Sequence, residues 1–227
     1  MAGWPTDLDP HVTPELARSA LLVIDTQVDF LDGGASPIPG TSEVLVTIAE
    51  LLAVYRAAGL PIVHVVRLYD GQDVDLPRRS LIQAGAPLVR PGSPGSQIAP
   101  LLRPDGAPDL DPDLLLTGRL QQFASAEWAM WKPRWGAFHR TRLDQHLQSL
   151  RVSTVVLTGC NYPNCPRAAV YGASEHDYRV LIVSDAISGV QAFHLGESGR
   201  LGAVHAPTAA VVEAVQRLHR VTAAAAT

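Results

Sequence analysis

Cysteine is scarce in this chain of 227 residues: Cys160 and Cys165 are the only two, too few for a disulfide framework. A Cys-x4-Cys pair without nearby histidine also falls short of the ligand set of a zinc site. No apolar run approaches the ~20 residues that cross a bilayer, so no membrane role is expected. The net charge of −4 gives no pull toward nucleic acid. The first ten residues lack the basic and apolar regions of a signal peptide, and the expected location is cytoplasmic. Histidine is missing between Arg67 and Arg119. Although Asp70, Asp73 and Asp75 cluster there, a solvated loop is the expected reading rather than a metal site.

What is present is enough apolar sequence, 47% against 18% charged, to fill a globular core. Six short segments read as strands: Ala20–Asp25, Pro61–Val66, Glu127–Trp131, Thr154–Leu157, Val180–Val183 and Ala203–His205. Several are continuous runs of Val, Ile and Leu, the mark of strands buried on both faces of a parallel sheet. Between the first two, Val44, Leu45, Ile48, Leu51, Leu52 and Tyr55 recur at helical spacing before Gly59, which makes a right-handed βαβ unit. The expected fold is α/β: a three-layer α-β-α domain over 20–227, with a doubly wound sheet of about six mostly parallel strands, behind an N-terminal arm, 1–19. From Arg67 to about Leu120 eight prolines punctuate the chain and regular signals fade. This is a long excursion, with room for one helix over 74–85, of the kind that forms lids or binding loops. His64, inside the second strand, reads as a core residue bonded to a neighbour.

Three residues stand out by position. Asp25, Lys132 and Cys165 each lie at or just past the carboxyl end of a strand, where open parallel sheets gather their ligands. Each has a plainer reading alone, Asp25 as a loop cap and Cys165 as a small core filler. Pro166, however, suits the first position of a helix, which leaves Cys165 at the helix mouth, where free N–H groups and the macrodipole favour a thiolate. A carboxylate that can take a thiol proton, a cation that holds both anions, and amides that can receive an oxyanion make an acyl-transfer site.

At this point the sequence resembles the isochorismatase-like cysteine hydrolases, relatives of nicotinamidases and N-carbamoylsarcosine amidohydrolases. Leu21-Leu-Val-Ile-Asp25-Thr-Gln-Val-Asp29-Phe30 is similar to the first-strand motif of that superfamily. Lys132-Pro-Arg-Trp-Gly-Ala-Phe138 is similar to its lysine motif, and Thr158-Gly159 with Cys165 six positions on matches its nucleophile spacing. The resemblance implies Cys165 as nucleophile, Asp25 as general base and later acid, and Lys132 as the charge that tunes both. It implies an oxyanion hole from the N–H groups of Asn161 and Cys165, with a cis peptide at Cys160–Asn161. It further implies a homo-oligomer, dimer or tetramer, acting on a small-molecule substrate.

Two departures qualify the likeness. Around the nucleophile, Tyr162-Pro163-Asn164-Cys165-Pro166 replaces the superfamily's Thr-Asn-x-Cys-Val. The Asp/His metal cluster of nicotinamidase-like members has no histidine to build it, so the expectation is no metal and no cofactor. The expected activity is hydrolysis of an amide, ureido or carbamoyl C–N bond through a thioester. Phe30, Trp131, Trp135 and Tyr162 are the candidate pocket residues for an aromatic or hydrophobic substrate. Arg134 is a candidate partner for a substrate carboxylate, against an ordinary ion pair. The rival readings are a non-catalytic binding or assembly protein on the same fold, and a thiol-redox protein using Cys160 and Cys165.

Overall fold

A computed structural model describes residues 4–71 and 73–225, with side chains to Arg220. Seven strands form one sheet: β1 (Ser19–Ile24), β2 (Ile62–Val66), β3 (Gln121–Ala124), β4 (Glu127–Trp131), β5 (Thr154–Gly159), β6 (Arg179–Ile187) and β7 (Val204–Ala206), in the order β3-β4-β2-β1-β5-β6-β7. Every pairing is parallel except β3 with β4. The sheet thus has one strand more than the sequence suggests. Gln121-Gln-Phe-Ala124 carries no strong β pattern and its turn at Ser125-Ala126 lacks Gly or Asn, so the hairpin with β4 leaves little local signal.

β1 is buried along its whole length because it runs through the middle of a sheet covered on both faces. Leu21 and Val23 face one core with α1 (Leu45–Ala58) and α7 (Thr208–Ala225), while Ala20, Leu22 and Ile24 face the other, with α4 (Leu143–Ser149) and α5 (Cys165–Glu175). α1 stops where Gly59 takes the left-handed conformation (φ 65°) and caps it. Trp4 and Leu8 of the arm pack on the first of these cores. No helix among the described residues is long and apolar enough to cross a membrane.

The sheet reverses direction at its centre. From β1 the chain moves to β2 and β4 on one side, then returns to β5 on the other, so the crevice at the carboxyl ends of β1 and β5 is the topological switch point. Register brings the strand ends level there: Ile24 pairs with Val65 and with Gly159, and Val66 pairs with Trp131. The next residues, Asp25, Arg67 and Lys132, therefore emerge side by side. The excursion has more structure than its prolines suggest, with α2 (Leu76–Gln83), α3 (Pro112–Leu116) and two single turns of 3-10 helix.

Candidate active site

The switch-point crevice gathers Asp25, Lys132 and Cys165. Lys132 is fully buried, with Nζ 2.8 Å from Asp25 Oδ2 and 3.2 Å from Cys165 Sγ. Its ammonium also donates to the Arg134 carbonyl at 3.3 Å. Asp25 adopts a left-handed backbone conformation (φ 52°), which Asp tolerates better than most residues but which still signals local strain. Its Oδ1 is buried with no hydrogen-bond partner among the described groups. A buried carboxylate oxygen left open is unusual.

Cys165 opens α5 with Pro166 beside it, as the sequence suggests. Its thiol is not acidified, however. Burial pushes it up to about 11, with Asp25 adding to the rise and Lys132 and Arg67 opposing it. Asp25 stands beside this thiol as a group that can take its proton, and Lys132 and Arg67 limit the cost of a thiolate there. Cys160 is a second free thiol, pushed up to about 12 by burial.

The peptide between Cys160 and Asn161 is trans, as are all the described peptide bonds. The expected cis bond is therefore not found, and the chain turns at Gly159, whose φ of 115° is one that residues with side chains rarely adopt. A Cβ there would lie 2.1 Å from the Ile24 carbonyl oxygen, so only glycine lets β1 and β5 approach so closely at the site. Among the described residues neither the Asn161 nor the Cys165 N–H donates to another protein group.

Arg67 is the residue that reading along the sequence misses. It is 2% exposed and sends Nη2 to 3.7 Å from Cys165 Sγ, while Nη1 binds Asp75 Oδ1 at 2.6 Å. Its guanidinium lies 5.2 Å from the centre of the Trp135 ring and 5.5 Å from that of Tyr69, within cation–π range. Burial opposes its charge, but Asp25, Tyr69, Cys165 and Asp75 outweigh burial and raise its pKa above the ordinary value. The signal was the one that singled out Asp25: Arg67 directly follows a strand's carboxyl end.

Gln27 and Asp29 of the first-strand motif fasten the excursion to the site. Gln27 donates to the carbonyls of Arg67 (2.7 Å) and Ser96 (2.6 Å) and accepts from the Arg67 N–H. Asp29 accepts from the Val89 N–H at 2.5 Å. It thereby holds a β-branched residue at φ 38°, outside the favoured regions. A Cβ on Gly95 would sit 2.0 Å from Asp29 Oδ1, so a side chain there would have to displace this carboxylate.

Cys165 opens into a narrow recess of about 30 Å³. Asp25, Asn161 and Asn164 are among the residues that line it, and Phe30, Tyr69 and Trp135 supply aromatic walls. The other expected pocket residues lie elsewhere. Tyr162 is fully buried, with its hydroxyl bonded to Ser198 and its ring 5.0 Å from His194. Trp131 points to the α1 and α7 core and donates to the Leu68 carbonyl, because strand alternation turns it away from the crevice. Arg134 pairs with Asp73 at 2.7 Å, which removes it as a ligand for substrate. A larger, shallower groove past Trp135, beside Phe138 and Tyr171, contains none of Asp25, Lys132 and Cys165.

Among the described residues no three His, Cys, Asp or Glu side chains converge as a metal site requires. Asp75 is held by Arg67, and Asp73 by Arg134 and Arg140. His64 bonds Glu127 at 2.7 Å inside the sheet, as the sequence suggests.

Comparison with known proteins agrees with this architecture. The isochorismatase domain model matches residues 19–214. A solved isochorismatase family protein from Desulfovibrio vulgaris is 31% identical, with a TM-score of 0.74 over 88% of this chain and 98% of its own. Ureidoacrylate amidohydrolase RutB of Methylobacterium radiotolerans is 26% identical over 208 residues, 84% of this chain and 73% of its own. A probable inactive nicotinamidase of Arabidopsis thaliana is 28% identical over 173 residues, 74% of this chain and 80% of its own. With a doubly wound sheet of the same kind and a match over most of its length, the chain belongs to the isochorismatase family.

Proposed function

We propose that this protein is a cysteine-dependent amidohydrolase that cleaves the C–N bond of a small amide, ureido or carbamoyl compound through a thioester acyl-enzyme. The observation that carries this reading is the buried Lys132 ammonium within hydrogen-bond reach of both the Asp25 carboxylate and the Cys165 sulfur. An ammonium, a carboxylate and a thiol have no structural need to share one dry site, and burying them is costly. Chemistry supplies the reason.

Asp25 takes the Cys165 proton as sulfur attacks the substrate carbonyl carbon. The oxyanion that forms accepts hydrogen bonds from the Asn161 and Cys165 N–H groups, at the positive end of α5. Asp25 returns the proton to the departing nitrogen as the C–N bond breaks, leaving an acyl group on sulfur. Water, deprotonated by the same carboxylate, attacks the thioester, and the thiol leaves with its proton restored. Lys132 and Arg67 hold the negative charge on whichever of Asp25 and Cys165 carries it.

RutB is by name an amidohydrolase of a ureido compound, which supports the reaction class. One relative is by name a probable inactive nicotinamidase, so the reading rests on the site and not on family membership alone. The test is ammonia release from a panel of primary amides, ureas and carbamates. Cys165→Ala should abolish release, and Cys160→Ser should retain it. Hydrolysis surviving in Cys165→Ala would refute the mechanism, and loss in Cys160→Ser with Cys165 untouched would favour a cysteine-pair redox protein.

A further inference from the structure

We infer that Tyr162 is a positioning residue for the two oxyanion amides, bracing the turn that carries them against α6 (Ala192–Gly199) through its hydroxyl. The Asn161 and Cys165 N–H groups stand at the two ends of that turn, and Tyr162 lies between them. Of the three residues between those ends Tyr162 alone is buried, since Pro163 and Asn164 are exposed. Bonds inside the turn, such as Asn164 N–H to the Asn161 carbonyl at 3.1 Å, fix its shape but not its place. Tyr162 ties it to three neighbours. Its N–H donates to the Ser188 carbonyl just past β6 at 2.8 Å, its carbonyl accepts from the Arg167 N–H of α5 at 3.2 Å, and its hydroxyl bonds Ser198 of α6.

A proton count settles the direction of the last bond. Ser198 has one hydroxyl proton and donates it to the His194 carbonyl at 2.8 Å. Tyr162 is therefore the donor, and Ser198 receives it from a site fixed within α6. The other tie between α5 and α6 is the ion pair of Arg167 with Glu197 at 3.1 Å, whose side chains are 39% and 49% exposed, so it contributes little. The buried hydroxyl pair is the firm contact. Tyr162→Phe keeps the ring and leaves Ser198 bonded to His194, so it loosens the turn without opening a cavity or stranding a donor. Oxyanion donors act only when held at 2.7–3.1 Å from the developing charge, and losing one outright costs about 10²–10³ in rate. A pair that is loosened but still present should forfeit about tenfold.

The inference rests on the proposed hydrolase reading, and the experiment separates the two by comparing two reactions of Cys165. Propanal takes the thiol across its C=O, sulfur to carbon and proton to oxygen, and leaves that oxygen at the two amides. Its affinity is read from protection of Cys165 against iodoacetamide. Iodoacetamide itself loses iodide from a saturated carbon and forms no oxyanion. In Tyr162→Phe, propanal affinity and kcat for whichever amide the parent cleaves should each fall about tenfold, with KM and the alkylation rate within about twofold of the parent. Ser198→Ala should behave alike, and the double variant should be no worse than either, because both remove one bond. Propanal affinity unchanged in Tyr162→Phe would overturn the inference. Affinity, kcat and alkylation falling together would overturn it too, since they would make Tyr162 a plain core residue. If the parent cleaves no amide, ureido or carbamoyl bond while propanal affinity follows Tyr162, the hydrolase reading fails and the brace stands. If both variants cleave at the parent kcat, the brace fails alone.

Discussion

Replacing Lys132 by Met removes one charge from a fully buried position while keeping a side chain of similar length. Two unit charges 3.2 Å apart, the distance from Nζ to Cys165 Sγ, attract by about 5 kcal/mol at an effective dielectric constant of ~20. Arg67, 3.7 Å from the same sulfur, retains part of that, so the expected loss of thiolate stabilisation is roughly 3–4 kcal/mol, or two to three decades in rate. The carboxylate suffers as well. Asp25 Oδ2 loses its 2.8 Å partner while Oδ1 already has none. A buried carboxylate stranded in this way is relieved by protonation, after which it cannot take the thiol proton. Iodoacetamide alkylation of Cys165, followed by mass spectrometry across pH, should therefore slow a hundredfold or more in Lys132→Met, and kcat/KM should fall in parallel. Stability should drop by about 3 kcal/mol, and Asp25→Asn added to Lys132→Met should recover most of it without recovering activity. Alkylation within threefold of the parent rate would refute the role given to Lys132.

Two further outcomes test the frame around the site. Glu127 is buried, and although burial opposes its charge, Arg56 and His64 hold its carboxyl down at about 2. Its contribution, about 3 kcal/mol relative to an ordinary carboxyl, is present above pH ~4.5 and lost as pH falls toward 2. Urea unfolding should show the stability gap between the parent and Glu127→Gln closing over that window, and a gap constant from pH 7 to pH 3 would contradict it. Gly159→Ala should destabilise by about 3 kcal/mol and lower the melting temperature by roughly 10 °C. The added Cβ meets the Ile24 carbonyl at 2.1 Å, so a melting temperature within 2 °C of the parent would show that the turn yields freely.

Most of the scaffold was legible in local sequence because its elements obey strong periodicities. The run Ala20–Ile24 has to be a strand buried on both faces, and the spacing Ile48, Leu51, Leu52, Tyr55 has to be a helix that buries one side. The rule that parallel sheets place ligands at strand ends then singled out Asp25, Lys132 and Cys165, residues that lie 107 and 33 positions apart yet meet within hydrogen-bond distances of Lys132. What the rule cannot supply is side-chain direction. Tyr162 and Trp131 neighbour the site in sequence and turn into the two cores, whereas Phe30 and Trp135 line the recess.

The sequence by itself determined the order of six of the seven strands, the family and the three residues of the proposed triad, because periodicity and motif spacing are local properties of the chain. Tertiary structure decided the rest. It brought Arg67 against the cysteine, paired Arg134 with Asp73, and made the turn at Gly159 without a cis peptide. It also set the surroundings of the proposed nucleophile. A helix mouth read from sequence suggests an acidified thiol, but burial and a neighbouring carboxylate push Cys165 the other way. Those influences depend on which groups lie within a few ångströms, and only the folded chain fixes that.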